Sequence, residues 1–298
     1  MTLAPEAPLR RTRRGDGPSG PSPRRRAAFA SLALLGVLVM LYPTIASWFS
    51  AVRSTHVVEA YVEQSMRIDP ADRAVSLSAA DAYNADDVRG LIVDPFSNTE
   101  GAQSMPLDDA AREYLDELAL DPDGVMGRIT IPAIGVDLPI RHGTTDDTLR
   151  EGVGHLYGSS LPVGGVGTHA VLTGHSGIPD ATLFTDISKL EPGDEITIDV
   201  LDRDLVYRVT GSEVVDPTEI GELGVVPGED LLTLVTCTPI GINTHRLLVH
   251  AERVDDPGPV ALPDAPGVPF PWWIPVVLAA LAAWGLVVFR PLRRRKRA

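Results

Sequence analysis

The stretch Leu231-Leu-Thr-Leu-Val-Thr-Cys-Thr-Pro-Ile-Gly-Ile-Asn-Thr-His-Arg-Leu-Leu-Val-His250 decides how this chain folds. Its first run, Leu231–Thr236, is apolar and β-branched, the pattern of a strand that delivers Cys237 at its end. Its last run, Arg246–His250, is the next strand, and Pro239 and Gly241 between them are turn formers. A hairpin of this kind returns the Arg246 cation to the neighbourhood of the thiol. Cys237 is the only cysteine in 298 residues, so it forms no internal disulfide. A lone cysteine is often just a small buried hydrophobe. At a strand end, before a turn and an arginine, it reads instead as a reactive thiol, because a nearby cation favours the thiolate.

Upstream of the hairpin, from Gly127, short β-rich runs alternate with Gly, Pro and Asp. They are 128–131, 136–140, 169–173, 195–200 and 205–210. With the hairpin they make seven or eight strands in about 125 residues, which argues for a closed barrel or a sandwich. Before Gly127 the pattern is helical: 54–66 with Ser54 as N-cap, Asp69-Pro70 to about Tyr83, and 108–118. Residues 90–106 have loop character around Asp94-Pro95-Phe96, and 255–271 is a Pro-rich linker. Gly164-Gly165-Val166-Gly167 reads as a turn, since no P-loop pattern surrounds it, and no metal-binding cluster or cofactor motif is apparent.

The two ends differ from the middle. Residues 1–26 form a basic tail with seven arginines, and 27–48 is an uncharged, largely apolar stretch long enough to cross a membrane. A cleaved signal is the alternative for 27–48, but the stretch exceeds a usual signal core and no small-x-small site precedes Trp48. Near the other end, 272–289 is a second, Pro-interrupted apolar run, followed by the basic tail 290–298. Positive charge outside both spans predicts two cytoplasmic termini and an extracytoplasmic middle at the plasma membrane. Between the tails stand 38 acidic against 13 basic residues, a net charge near −25. Such a segment does not bind nucleic acid through its phosphates.

With these residues in place, a resemblance emerges. Thr233-Leu-Val-Thr-Cys237 is similar to the Thr-Leu-x-Thr-Cys signature of sortases, Leu172-Thr-Gly-His175 resembles the segment bearing their histidine, and Arg246 falls where their arginine does. Gly127-Arg-Ile-Thr-Ile-Pro132 resembles their opening strand, and Asp94-Pro95-Phe96 resembles the lid of the class C, pilus-building members. The resemblance covers roughly 54–254. It implies a closed eight-stranded β-barrel over 127–254, an N-terminal helical region over 54–126 with its lid, and flanking transmembrane helices. One departure is Ser176, where many pilin-type relatives carry a basic residue, which leaves the substrate-side loop open.

The resemblance further implies a cysteine transpeptidase without cofactor or metal. Cys237 is the nucleophile, His175 the acid–base partner, and Arg246 the fixed cation that holds substrate or oxyanion. The substrate is a pilin or surface protein with a C-terminal Leu-Pro-x-Thr-Gly-like signal, cut at Thr–Gly and joined to a pilin lysine. Leu234 and Thr236 are candidate substrate contacts. His169 is the strongest rival base, since its even spacing from His175 puts both on one strand face. A housekeeping sortase that attaches proteins to cell-wall peptide, and an inert anchored scaffold, are the other readings.

Overall fold

The computed structural model describes residues 22–85, 94, 96, 109–120, 124–255 and 269–289. Pro95, most of the lid loop, most of the 255–271 linker and nearly all of both basic tails lie outside the described residues. The chain divides into two units, Met1–Tyr42 with Trp272–Ala298, and Pro43–Pro271.

In the first unit lie the start of helix α1 (Pro23–Arg67) and helix α5 (Trp273–Phe289). Phe29, Leu32, Leu35, Leu278 and Leu286 are exposed there, and Trp284 Nε1 donates to Ser31 Oγ at 3.1 Å. α1 is long and apolar enough to cross a membrane, whereas α5, with 17 residues, falls short of that length. The helix expected to begin at Ser54 is instead a continuation of α1. Nothing between Trp48 and Ser54 breaks a helix, and Thr55 Oγ1 donates to Ala51 O inside it. Ser54, Val58, Tyr61 and Ser65 form its buried stripe.

In the second unit, helices α2 (Pro70–Ala85) and α3 (Asp109–Asp116) precede a closed barrel. Its strands are β1 (Val125–Ile131), β2 (Val136–His142), β3 (Val153–His155), β4 (Thr168–Thr173), β5 (Glu195–Val200), β6 (Arg203–Val215), β7 (Asp230–Thr238) and β8 (His245–Arg253). They close in the order β1-β2-β3-β4-β7-β8-β6-β5, with β2–β3 and β4–β7 parallel and the other pairs antiparallel. β3, with three residues, is too short to carry a periodic signal, and neither it nor helix α4 (Asp146–Glu151) stands out in the sequence.

Strand periodicity sorts side chains between two faces. Ile129, Leu172, Ile198, Leu232, Leu234 and Val249 belong to the main core. The alternate residues Val171, Val235 and Leu248 build a smaller cluster with Leu156, Ile220 and Leu223 on the other face of β4, β7 and β8. Ile220 comes from a 3₁₀ segment, Pro217–Glu222, capped by the reciprocal Asp216 and Glu219 bonds. α1 is tied to the barrel through Tyr61, whose hydroxyl donates to Met126 O and accepts from Leu201 N.

Candidate active site

Two registers place the predicted residues together. β7 and β8 pair with Cys237 directly opposite Arg246, so the two side chains rise from the same face. β4 and β7 run parallel with Thr173 beside Val235. Past that pair Gly174 N still donates to Val235 O, and two residues beyond the pair on each side come His175, just after the end of β4, and Cys237. The cluster of Val171, Val235 and Leu248 lies on this face, so the thiol stands at the end of a buried apolar patch.

His175 is set by its neighbours. A Cβ on Gly174 would stand 2.7 Å from the Phe184 ring, so glycine lets the backbone lie against that buried ring. His175 O accepts from Phe184 N at 3.0 Å, and Gly177 N donates to Thr185 Oγ1 at 3.0 Å. Gly177 takes φ +67°, and a Cβ there would strike Ile240 of the β7–β8 loop. Ser176 Oγ donates to Cys237 O at 2.6 Å, and Thr236 Oγ1 donates to Gly174 O at 2.7 Å.

Asp94 and Phe96 lie against Arg246 and His175. Asp94 accepts two bonds from Arg246, Nε to Oδ1 at 2.8 Å and Nη2 to Oδ2 at 2.7 Å, with both side chains buried. This is the bidentate, charge-assisted geometry that guanidinium and carboxylate favour. The Phe96 ring lies 5.6 Å from the His175 ring and 5.3 Å from the Arg246 guanidinium carbon. Cys237 is 7% exposed beneath this cover.

The electrostatics fit a resting state. Burial pushes the Cys237 thiol up to about 11; Arg246 pulls it down and Asp94 pushes it further up. Burial also lowers His175, against the pull of Asp146 and Asp180 and with the push of Arg150. Both shifts favour the neutral form, thiol and imidazole alike. The acidic and basic neighbours of His175 and the Ser176 bond are features sequence reading did not assign. They lie in loops and in a six-residue helix without periodic pattern.

Two expected substrate contacts are corrected. Leu234 and Thr236 share the face of β7 opposite to that of Cys237. Leu234 is wholly buried in the main core, and the Thr236 hydroxyl is spent on Gly174 O. His169, the rival base, shares the face of His175 but stands at the far end of β4 from it. Its ring bonds Gly224 O through Nδ1 and Thr233 Oγ1 through Nε2, both at 2.8 Å. Thr233 in turn contacts His250, which contacts Glu213. His245 registers with Thr238 and is exposed. Among the described residues no group of three or more His, Cys, Asp or Glu is placed to hold a metal ion.

A family model described as a sortase domain matches residues 129–254. Sortase A of Bacillus anthracis is 31% identical over 156 residues, which cover 52% of this chain and 72% of that protein. Among solved structures, sortase C-1 from Actinomyces oris is 47% identical with a TM-score of 0.58, over 62% of this chain and 99% of that one. A pilus-related sortase C of Group B Streptococcus is 36% identical with a TM-score of 0.59, over 66% of this chain and 96% of that one.

Proposed function

This chain belongs to the sortase family of cysteine transpeptidases, and from that premise we propose that it polymerises pilins at the cell surface. Cys237 is the nucleophile, His175 the proton carrier and Arg246 the charge anchor. The reading is carried by one observation: the Asp94–Arg246 pair that closes over Cys237. A site shut by its own chain suits an enzyme that must exclude water until a specific partner arrives.

When Asp94 withdraws, Arg246 is left facing the thiol without its counter-charge, and the two influences that keep Cys237 protonated weaken. The thiol then passes its proton to His175, and Sγ attacks the threonine carbonyl carbon of a Leu-Pro-x-Thr-Gly-like signal. Arg246 donors face the oxygen where charge develops. The Thr–Gly C–N bond breaks as the His175 imidazolium protonates the leaving amine. A neutral lysine amine of another pilin attacks the thioester, its proton goes to His175, and the thiolate leaves behind an isopeptide bond.

The catalytic barrel is external and both termini are cytoplasmic in this reading, with α1 and α5 as the two spans. The apolar length of α1 and the arginines flanking 272–289 support it. Protease added to intact protoplasts is expected to remove the barrel and spare tags at both ends; a cleaved C-terminal tag would refute the second span.

The functional test offers the detergent-solubilised chain a sorting-signal substrate with two acceptors, a pilin lysine and a cell-wall peptide amine. Covalent ladders through the lysine, absent with Cys237→Ala, are the expected product. Exclusive transfer to the peptide amine would assign the housekeeping role instead.

A further inference from the structure

The β4–β7 register fixes where the backbone bonds between these parallel strands must fall. Gly174 N donates to Val235 O at 3.1 Å. One step further, the parallel pattern would send Cys237 N to Gly174 O and Ser176 N to Cys237 O. Both of those acceptors are taken instead by hydroxyls. Thr236 Oγ1 takes Gly174 O from the β7 side, and Ser176 Oγ takes Cys237 O from the β4 side. The ladder is thus continued by two side chains that cross in opposite directions.

Ser176 is 7% exposed and makes a short bond of 2.6 Å. Its position matters because it follows His175 directly, while its acceptor is the carbonyl of the nucleophile itself. The far side of the His175 loop is held independently, by Phe184 N on His175 O and by Gly177 N on Thr185 Oγ1. The near side, towards the thiol, is held by the Ser176 hydroxyl beyond His175 and by the Gly174 bonds to β7 before it. His175 is thus flanked by a bond to Phe184 on one side and by the Ser176 bond to the nucleophile's own carbonyl on the other.

We propose that Ser176 is a positioning residue for the transpeptidation: its bond to Cys237 O sets the separation of the His175 ring from Cys237 Sγ. It rests on the roles proposed above for those two residues. The hydroxyl bonds a backbone carbonyl, neither Cys237 Sγ nor the His175 ring. It acts on proton transfer, which falls steeply when donor and acceptor drift apart. The effect is therefore expected in kcat rather than in KM.

The experiment measures kcat and KM on a sorting-signal peptide, with a thermal melt, for full-length Ser176→Ala, Ser176→Thr and Ser176→Val. Ser176→Ala is expected to lower kcat by about 10- to 100-fold with KM within about twofold. Ser176→Thr, which keeps the hydroxyl, is expected to restore most of it. The Thr and Val variants share shape and differ in the hydroxyl, so their comparison decides the matter even if the Ala variant folds poorly. Equal kcat in Thr and Val, a loss confined to KM, or a loss that follows the melt alone would each overturn the proposal. Turnover that survives Cys237→Ala would take down the site assignment and this proposal with it. A dead Cys237→Ala beside an unimpaired Ser176→Ala would take down this proposal alone.

Discussion

The barrel holds two buried arginine–aspartate pairs of nearly identical chemistry, on different parts of its wall. Arg246 grips Asp94 through Nε and Nη2, and Arg128 grips Asp137 through the same two nitrogens. Side-chain exposure is 5% and 7% in the first pair and 4% and 11% in the second. They differ in how each carboxylate is tethered. Asp137 sits on β2 beside β1, nine residues from its partner and locked in a continuous antiparallel ladder. Asp94 lies 152 residues from Arg246, ahead of α3 and outside any strand. When a buried pair loses one member, the cost depends on whether the other can reach water. Asp137 is fixed by the strand that carries it, whereas Asp94 belongs to no strand. On the lid reading proposed above, the same bonds make a rivet in one place and a latch in the other.

The largest expected effect breaks that symmetry directly. Arg246→Ala, like His175→Ala or Cys237→Ala, should cut turnover by on the order of 1000-fold or more. On the proposed lid reading, in which Asp94 leaves the site for water, it should cost less in denaturant unfolding than the loss of Arg128 does. Arg128→Ala should do the reverse. It strands Asp137 in the wall and should cost about 3–5 kcal/mol in denaturant unfolding, while the folded fraction keeps its turnover. If Arg246→Ala unfolds as badly as Arg128→Ala, the latch is a rivet after all.

The rivet side carries a second buried acid. Asp199 registers opposite Arg128 and beside Asp204. Burial, then Asp204, raise it to about 6, against the pull of Arg128. Its folded pKa lies above its unfolded one, so the folded state holds the proton more tightly. The stability it contributes is therefore full below about pH 4 and is lost as pH rises through about 6, a swing of roughly 2–3 kcal/mol. Asp199→Asn should flatten stability across that window and raise it by about 1–2 kcal/mol at pH 7.5. Thermal melts between pH 4 and 8 read both. An unchanged slope would mean that Asp199 is already solvated or fully paired.

How much of this was legible in the chain follows from how local each signal is. The Cys237–Arg246 pairing is short-range: two β-rich runs and a turn bring them face to face. The parallel β4–β7 contact that adds His175 is not written locally. It depends on strand order, and only the family resemblance supplied it. β3 went unseen because three residues cannot show a period. The continuity of α1 through Ser54 was hidden by reading a capping residue where no breaker precedes it. Leu234 and Thr236 are different, since alternation along β7 already excluded them from the face of Cys237. The Asp94–Arg246 pair has no sequence period at all, because a lid segment is neither helix nor strand.

The latch makes the smallest but most diagnostic prediction, read from alkylation of Cys237 by a small thiol reagent. The reagent sees one thiol, so every modified molecule reports this site. With the latch closed, reaction waits for an open minority, and the rate is scaled by the open fraction. Asp94→Ala acts on all three influences over the thiol. It loosens the burial that raises the pKa most, frees Arg246 to lower it, and removes a charge that raises it. Phe96→Ala removes cover alone and leaves the Arg246–Asp94 bonds in place. Alkylation at neutral pH should therefore rise about tenfold in Asp94→Ala and less in Phe96→Ala. The midpoint of its pH profile should fall from near 11 in both variants, further in Asp94→Ala. Asp94→Asn, which keeps the shape and drops the charge, should lie between wild type and Asp94→Ala. Equal rates in wild type and Asp94→Ala would mean that the carboxylate holds nothing shut, and the contrast between latch and rivet would disappear.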